Sequence, residues 1–432
     1  MTAIRDASAA DIVVVGLGYV GLPLAVRLSR DFPVRGFDTD SARIAELRQG
    51  HDRTREIEPA PLLAAQAGGS LTLVEDAAAC RGAEVYIVTV PTPVGPDNRP
   101  DLTLVERACA SVGAMLDPAA RPIVVFESTV YPGVTEDVCG PILARVSGLE
   151  RGRDFFLGYS PERINPGDRE HTVDRITKVV AGENPEVTDR LCAIYGKVTS
   201  GGVFPAASIR VAEAAKVIEN AQRDINIAFV NEVAQITRKL GISIWDVLDA
   251  AKTKWNFLPF QPGMVGGHCI GVDPYYLSHC AQGLGHDPQV ILAGRSINDG
   301  MAAWLAGELD RALAPASKVL VLGLAFKENV PDLRNSKVAD LVAVLAGRGH
   351  SVAVHDPLVD RDEARHEYGL ELLPDLPREP HDAVIMAVPH AIFTALPEAR
   401  LVALLHEGGL FADIKNAFPA LDAVPGIRRW RI

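Results

Sequence analysis

The sequence predicts an α/β protein: two doubly wound domains joined by a mainly helical central domain with a long connecting helix. Three observations carry that expectation. A β-branched run, Ile12-Val13-Val14-Val15, passes through a glycine-dense turn into a helical stretch from Leu22 to Arg30. The same strand, helix, strand-Asp plan returns between Lys318 and Val388. Between the two, residues 206–314 lose the strand pattern and read mainly as helix. The expected domains are therefore 1–205, 206–314 and 315–432, and 432 residues are more than one hydrophobic core usually organises.

Composition narrows the class. A formal net charge of −12 argues against non-specific nucleic-acid or membrane-surface binding, while leaving room for a local basic pocket. The 6 cysteines, at positions 80, 109, 139, 192, 269 and 280, have neither CxxC spacing nor a dense framework. That pattern fits a reducing cytosol and offers no metal motif. Residues 1–11 hold no apolar signal core, and no run approaches the roughly 20 apolar residues that a membrane helix needs. The expectation is a soluble, cytoplasmic protein.

In the first domain the strand at 11–15 leads straight into Gly16-Leu17-Gly18-Tyr19-Val20-Gly21. A GxGxxG turn alone is weak evidence, but a strand before it and a helix after it set backbone N–H groups where a pyrophosphate binds. The next strand, 34–38, ends in Asp38 about 20 residues on, where a ribose 2′-hydroxyl is met. Gly16, Gly18, Tyr19, Val20, Gly21 and Asp38 thus outline a Rossmann-like dinucleotide site. The carboxylate of Asp38 repels a 2′-phosphate and favours NAD over NADP. Arg43 weakens that preference if it reaches the site; its alternative is a solvated helix residue.

Strands follow at 85–90 and 123–126, each ending in a polar, proline-bearing loop that carries Thr92 or Thr129. Ligands of open α/β sheets lie beyond the carboxyl ends of the strands, so both threonines are candidates to face the cofactor, with turn capping as the other reading. Another strand at 155–159 ends in Ser160-Pro161-Glu162-Arg163-Ile164-Asn165. Glu162 and Arg163 form either a surface pair or part of a cleft.

The central region opens with a helix expected over 206–240, long enough to join two domains or to pair with its copy in a dimer. Lys216 and Asn220 lie four apart on one face of it, where an ammonium and an amide together can hold a substrate oxygen; solvated helix residues are the alternative. A helix near 244–252 precedes Gly266-Gly267-His268-Cys269-Ile270-Gly271-Val272-Asp273-Pro274. A thiol among glycines is open to a substrate and suits covalent catalysis, against the alternative of a packed, inert cysteine. Helical patterning then resumes to about residue 314. The final domain lacks GxGxxG, so a different ligand is expected, and its first loop offers Lys327 and Arg334 as cations for phosphate.

Together, Gly16-Leu17-Gly18-Tyr19-Val20-Gly21-Leu22, Glu127-Ser128-Thr129-Val130, the Lys216/Asn220 helix, Gly267-His268-Cys269 with Asp273, and Lys327/Arg334 resemble the UDP-glucose/GDP-mannose dehydrogenase family over nearly the whole chain. Residues 255–260 and 266–276 look like the branch that oxidises UDP-N-acetylhexosamines. The resemblance implies a 6-dehydrogenase making a uronate for bacterial surface polysaccharide, with two NAD molecules used in succession. Cys269 would trap the aldehyde as a thiohemiacetal, which the second oxidation converts to a thioester. Lys216 and Asn220 would steady the C6 oxygen, with Lys216 also moving a proton. Asp273 would order or activate water, and Glu162 would be the base for thioester hydrolysis. Thr92 and Thr129 would approach the nicotinamide, and Arg334 the NAD pyrophosphate. Glu162, Arg163, Ile164, Phe260, Gly266 and Lys327 would line the UDP-sugar site.

Two departures are visible. Gly271 stands where some relatives carry proline, and the loop Leu258-Pro259-Phe260-Gln261 lacks the arginine that some place there. UDP-N-acetylglucosamine is the expected substrate and UDP-N-acetylgalactosamine its rival, with UDP-glucose and UDP-ManNAc behind. A two-electron dehydrogenase or epimerase of the same fold needs no acyl-trapping thiol, and an NAD-sensing regulator would leave Cys269, Lys216 and Asp273 together unexplained.

Overall fold

The computed structural model describes residues 10–163, 172–267 and 270–432; Ile164 and Cys269 lie outside the described residues. The chain forms two compact units, one of residues 1–219 with 275–286, the other of 220–274 with 287–432.

The first unit is built on strands β1 (Ile12–Val15), β2 (Val34–Phe37), β3 (Leu71–Val74), β4 (Val85–Val88), β5 (Ile123–Phe126), β6 (Phe156–Tyr159), β7 (Lys178–Gly182) and β8 (Val203–Pro205). They form one 8-stranded sheet in the order β3-β2-β1-β4-β5-β6-β7-β8. Pairing is parallel throughout except between β6 and β7. The strands read as unbroken apolar runs because both faces are covered: Ile12 and Val14 enter one core layer, Val13 and Val15 the other. Strand order reverses between β1 and β4, which opens a crevice at their carboxyl ends.

The second unit carries β9 (Lys318–Leu322), β10 (Ser351–His355), β11 (His381–Met386), β12 (Leu405–Asp413) and β13 (Arg428–Arg431). They form an all-parallel 5-stranded sheet in the order β10-β9-β11-β12-β13. Here too Val319 and Val321 face one core layer, Leu320 and Leu322 the other.

One helical expectation is corrected and another is resolved in detail. The long helix spans Ile209–Leu240 rather than starting at 206, because Ser208 Oγ accepts the Val211 N–H at 3.3 Å and caps the first turn. The helical stretch expected to run on to about 314 is made of two helices, Asp273–Gly283 and Gln289–Ala312. Gly285, at φ +78°, and Pro288 separate them.

Candidate functional site

The glycine turn after β1 fits a dinucleotide for three different reasons. Gly16 sits at φ +90°, a backbone state that L side chains avoid. A Cβ on Gly21 would stand 1.9 Å from the Gly16 carbonyl oxygen, so only glycine lets the helix Gly21–Leu28 start there. A Cβ on Gly18 would meet nothing within 4 Å, which is the open backbone that a pyrophosphate needs. Asp38, at the end of β2, accepts the Leu17 N–H at 2.8 Å through one oxygen and the Asp40 N–H at 2.9 Å through the other. The carboxylate that would meet the ribose therefore also fixes the turn.

Arg43 is not the solvated helix residue allowed above. It is 4 % exposed; its Nε donates to the Leu17 carbonyl at 3.0 Å and a terminal nitrogen pairs with Asp52 at 2.6 Å. Its guanidinium braces the glycine turn from within.

Thr129 follows β5 on a loop pinned at several points. Ser128 Oγ donates to the Val90 carbonyl at 2.6 Å, and Tyr159 Oη donates to the Ser128 carbonyl at 3.2 Å. Glu127 accepts from Lys178 Nζ at 2.8 Å and from Tyr195 Oη at 2.6 Å, all three buried. Glu213 of the long helix accepts the Gly133 and Thr135 N–H groups at 2.6 and 3.0 Å; burial is the main influence on its carboxyl and raises its pKa. Thr92 follows β4, and the Pro93 carbonyl beside it accepts Tyr276 Oη at 3.0 Å. Tyr131 packs against the rings of Tyr276 and His279, with centroids 6.3 and 5.3 Å away.

Beyond β6, Glu162 is 5 % exposed. It does not pair with Arg163 as a surface couple. Arg163 instead reaches Glu219 on the long helix at 2.7 Å and donates to the Thr177 carbonyl at 3.2 Å. Lys216 and Asn220 stand one turn apart on that helix, 4 % and 7 % exposed, so neither is a solvated helix residue. Asn220 Nδ2 donates to Asp273 Oδ2 at 2.5 Å. Asp273, fully buried, lies in the first turn of the helix that follows the cysteine loop, where a carboxylate is favoured by the helix dipole.

Within the second unit, the glycines ahead of Cys269 pack against the loop after β9. A Cβ on Gly266 would stand 2.7 Å from the Asn335 carbonyl oxygen. Gly267, at φ +85°, has the Phe326 ring where a Cβ would reach it at 2.9 Å, and its N–H donates to the Arg334 carbonyl at 3.2 Å. Close backbone packing is therefore a second reason for glycine here. Beside this seam a cleft is lined by Gly263, Gly266, Phe326, Lys327, Lys337 and Lys415, among others. Part of its lining, including Phe326, Val388 and Lys415, lies just beyond the ends of β9, β11 and β12, where ligands of open parallel sheets bind; the rest comes from the loop at 261–270, the long helix and the helix that begins at Lys337. The lysines suit a diphosphate. Phe260 packs against the core of the same unit. Arg334 pairs with Asp332 in its own loop at 2.6 Å.

Sequence reasoning missed Lys337 and Lys415 in the cleft, together with Lys178, Tyr195 and Glu213 around the Thr129 loop. The one signal for Lys415 was its position just past the apolar strand β12.

Family models match three successive stretches: the NAD binding domain of the UDP-glucose/GDP-mannose dehydrogenase family over residues 10–199, its central domain over 210–300 and its UDP binding domain over 320–420. The chain belongs to that family of NAD-dependent nucleotide-sugar dehydrogenases. It is 50 % identical over 388 residues to the UDP-N-acetyl-D-glucosamine 6-dehydrogenase of Pseudomonas aeruginosa, covering 88 % of this chain and 91 % of that protein. It is 45 % identical over 415 residues to the enzyme of the same name from Salmonella typhi, covering 95 % and 96 %. Among solved structures, the UDP-D-ManNAc dehydrogenase of Pyrococcus horikoshii superposes with a TM-score of 0.86 at 28 % identity, covering 97 % and 98 % of the two chains.

Proposed function

We propose that this protein oxidises C6 of UDP-N-acetylglucosamine to the carboxylate, producing UDP-N-acetylglucosaminuronate for surface polysaccharide. The observation that carries this reading is the near-full-length likeness to enzymes of that specificity.

NAD supplies the hydride acceptor for each of the two oxidations. The chain's own groups do the rest. Lys216 and Asn220, drawn out of solvent, hold the C6 oxygen, and Lys216 takes the proton leaving the alcohol. The Cys269 thiolate adds to the aldehyde carbon to give a thiohemiacetal, and loss of a second hydride leaves a thioester. Water attacks that thioester with Glu162 as base, the C–S bond breaks and the thiolate is released. Asp273 orients the Asn220 amide and the water. Thr129 and Thr92, on loops beyond β5 and β4, border the cofactor. Arg163, Ile164, Phe260, Gly266 and Lys327 belong to the sugar-nucleotide side.

The domain assignment is 1–205 for NAD, 206–314 for the central helical region and 315–432 for the UDP-sugar. We assign the protein to the cytoplasm as a homodimer, in which the long helix meets its copy. Phe229, Ile236 and Leu240, at helical spacing and 59, 51 and 66 % exposed, offer that contact.

Initial rates with UDP-N-acetylglucosamine, UDP-N-acetylgalactosamine, UDP-glucose and UDP-ManNAc under identical conditions test the substrate. The first is expected to have the highest kcat/KM; a win for UDP-glucose contradicts the assignment.

A further inference from the structure

The wall of the lysine-lined cleft is held by a buried amide that the reaction itself does not use. Asn231, on the long helix, is fully buried. Its Oδ1 accepts the Gly263 N–H at 2.8 Å, and its Nδ2 donates to the Gly263 carbonyl at 3.0 Å. One side chain thereby satisfies both backbone groups of a residue that lines the cleft.

Gly263 needs such support. Its φ of +154° lies in a region essentially reserved for glycine, and a Cβ there would meet Lys415 Nζ at 2.8 Å. The cleft backbone and the Lys415 ammonium are thus set against each other at this point.

The orientation of the Asn231 amide is dictated from a distance. Asp224 Oδ1 accepts from Arg295 at 2.6 Å and from Asn298 Nδ2 at 2.8 Å. A carboxylate only accepts, so Asn298 must turn its nitrogen to Asp224 and its oxygen to Asn231. That oxygen accepts from Asn231 Nδ2 at 2.8 Å, which leaves the Asn231 oxygen for the Gly263 N–H. At the other end, Arg295 binds Asp299 at 2.5 Å, and Asp299 lies 3.5 Å from Lys337 Nζ, in the same cleft as Gly263. Asp224, Arg295, Asn298 and Asn231 are themselves buried, so the links among these four are made away from bulk water, where an unmade bond is costly; the outer links through Asp299, 35 % exposed, to Lys337 are partly solvated.

We propose that Asn231 is a positioning residue for the nucleotide end of the substrate: through Gly263 on one side and the Asn298–Asp224–Arg295–Asp299 chain on the other, it sets the spacing of Lys415 and Lys337 around a diphosphate. The proposal rests on the reading of this cleft as the UDP-sugar site. It acts on binding, not on the oxidation.

The test is made on the full-length enzyme with Asn231→Ala. UDP affinity is measured by titration calorimetry, and KM for UDP-N-acetylglucosamine and for NAD by NADH formation. Loss of the clamp is expected to weaken UDP binding and raise the UDP-sugar KM by about tenfold, with the NAD KM within about twofold of wild type. A general loosening of the fold would move both KM values together, and equal rises overturn the proposal. So does an unchanged UDP-sugar KM. Should Asn231→Ala not fold, Asn298→Ala leaves both bonds to Gly263 in place but cuts the link from Asn231 to Asp224 and Arg295. A rise of about threefold confined to the UDP-sugar is then expected, and no rise overturns the role. Failure of the wild-type chain to bind UDP overturns the reading of the cleft, a result distinct from a wild type that binds UDP and a variant that binds it equally well.

Discussion

Asn220 Nδ2 and Asp273 Oδ2 lie 2.5 Å apart, both residues buried, so the amide is oriented by an acceptor four positions after Cys269 in the sequence. Asp273 thereby has a task besides the proposed contact with water: it fixes the orientation of the Asn220 amide, the group proposed to hold the C6 oxygen. Asp273→Ala leaves the amide undirected and removes a negative charge. The expected result is a fall in kcat of about 100-fold or more, with UDP-sugar KM changed by less than about threefold. Steady-state kinetics decide, and a rise in KM at constant kcat would move Asp273 from the chemistry to binding.

The second and third glycines of the turn, Gly18 and Gly21, should separate folding from cofactor binding. At Gly21 an added Cβ has no room, so Gly21→Ala is expected to lower Tm by about 5 °C or more. At Gly18 the same methyl meets open space; Tm should stay near wild type while NAD affinity falls about tenfold. Differential scanning calorimetry with NAD titration reads both, and equal Tm losses would contradict the division.

Glu127 and Lys178 form a buried ion pair, 1 and 2 % exposed, beneath the Thr129 loop. Lys178→Met strands the carboxylate and is expected to cost about 3–5 kcal/mol, whereas Lys178→Met with Glu127→Gln should recover a large part of it. Urea unfolding of both single variants and the double variant gives the coupling, and strictly additive losses would show that the pair is not coupled.

Asp356, at the end of β10, accepts from the Leu324 and Ala325 N–H groups and pairs with His390 at 3.0 Å. Burial is the largest single influence and raises its pKa, but the His390 contact and the backbone bonds together bring it down to about 2 from an ordinary 3.8. A depressed carboxylate pKa contributes stability that is present above the unfolded value and lost as pH falls through the folded one. The contribution is on the order of 2 kcal/mol, fully present above about pH 4 and lost between about pH 4 and 2. The stability gap between wild type and Asp356→Asn should accordingly narrow over that window; a gap constant from pH 6 to 2 contradicts it.

Much of the architecture was written in local pattern. Strands covered on both faces read as Val- and Ile-rich runs, and the glycine turn announces itself because each glycine answers a separate steric demand. The helix break around Gly285 and Pro288 was not legible, because the apolar spacing on either side continues the helical pattern across it. Buried polar partners were not legible. Glu127 and Lys178 are 51 positions apart, and Asn231 and Gly263 are 32 apart, so nothing local marks them as neighbours. Arg43 misleads for the same reason: a charged residue on a short helix looks solvated until Asp52 folds over to meet it.

The proposed reaction is a four-electron oxidation carried through one cysteine. Its most direct measurement is the amount of NADH formed per UDP-N-acetylglucosamine consumed, followed to completion with excess NAD and compared with Cys269→Ala. Two NADH per sugar are expected for the wild type and no more than an aldehyde-level product from the variant. One NADH per sugar in the wild type would contradict it.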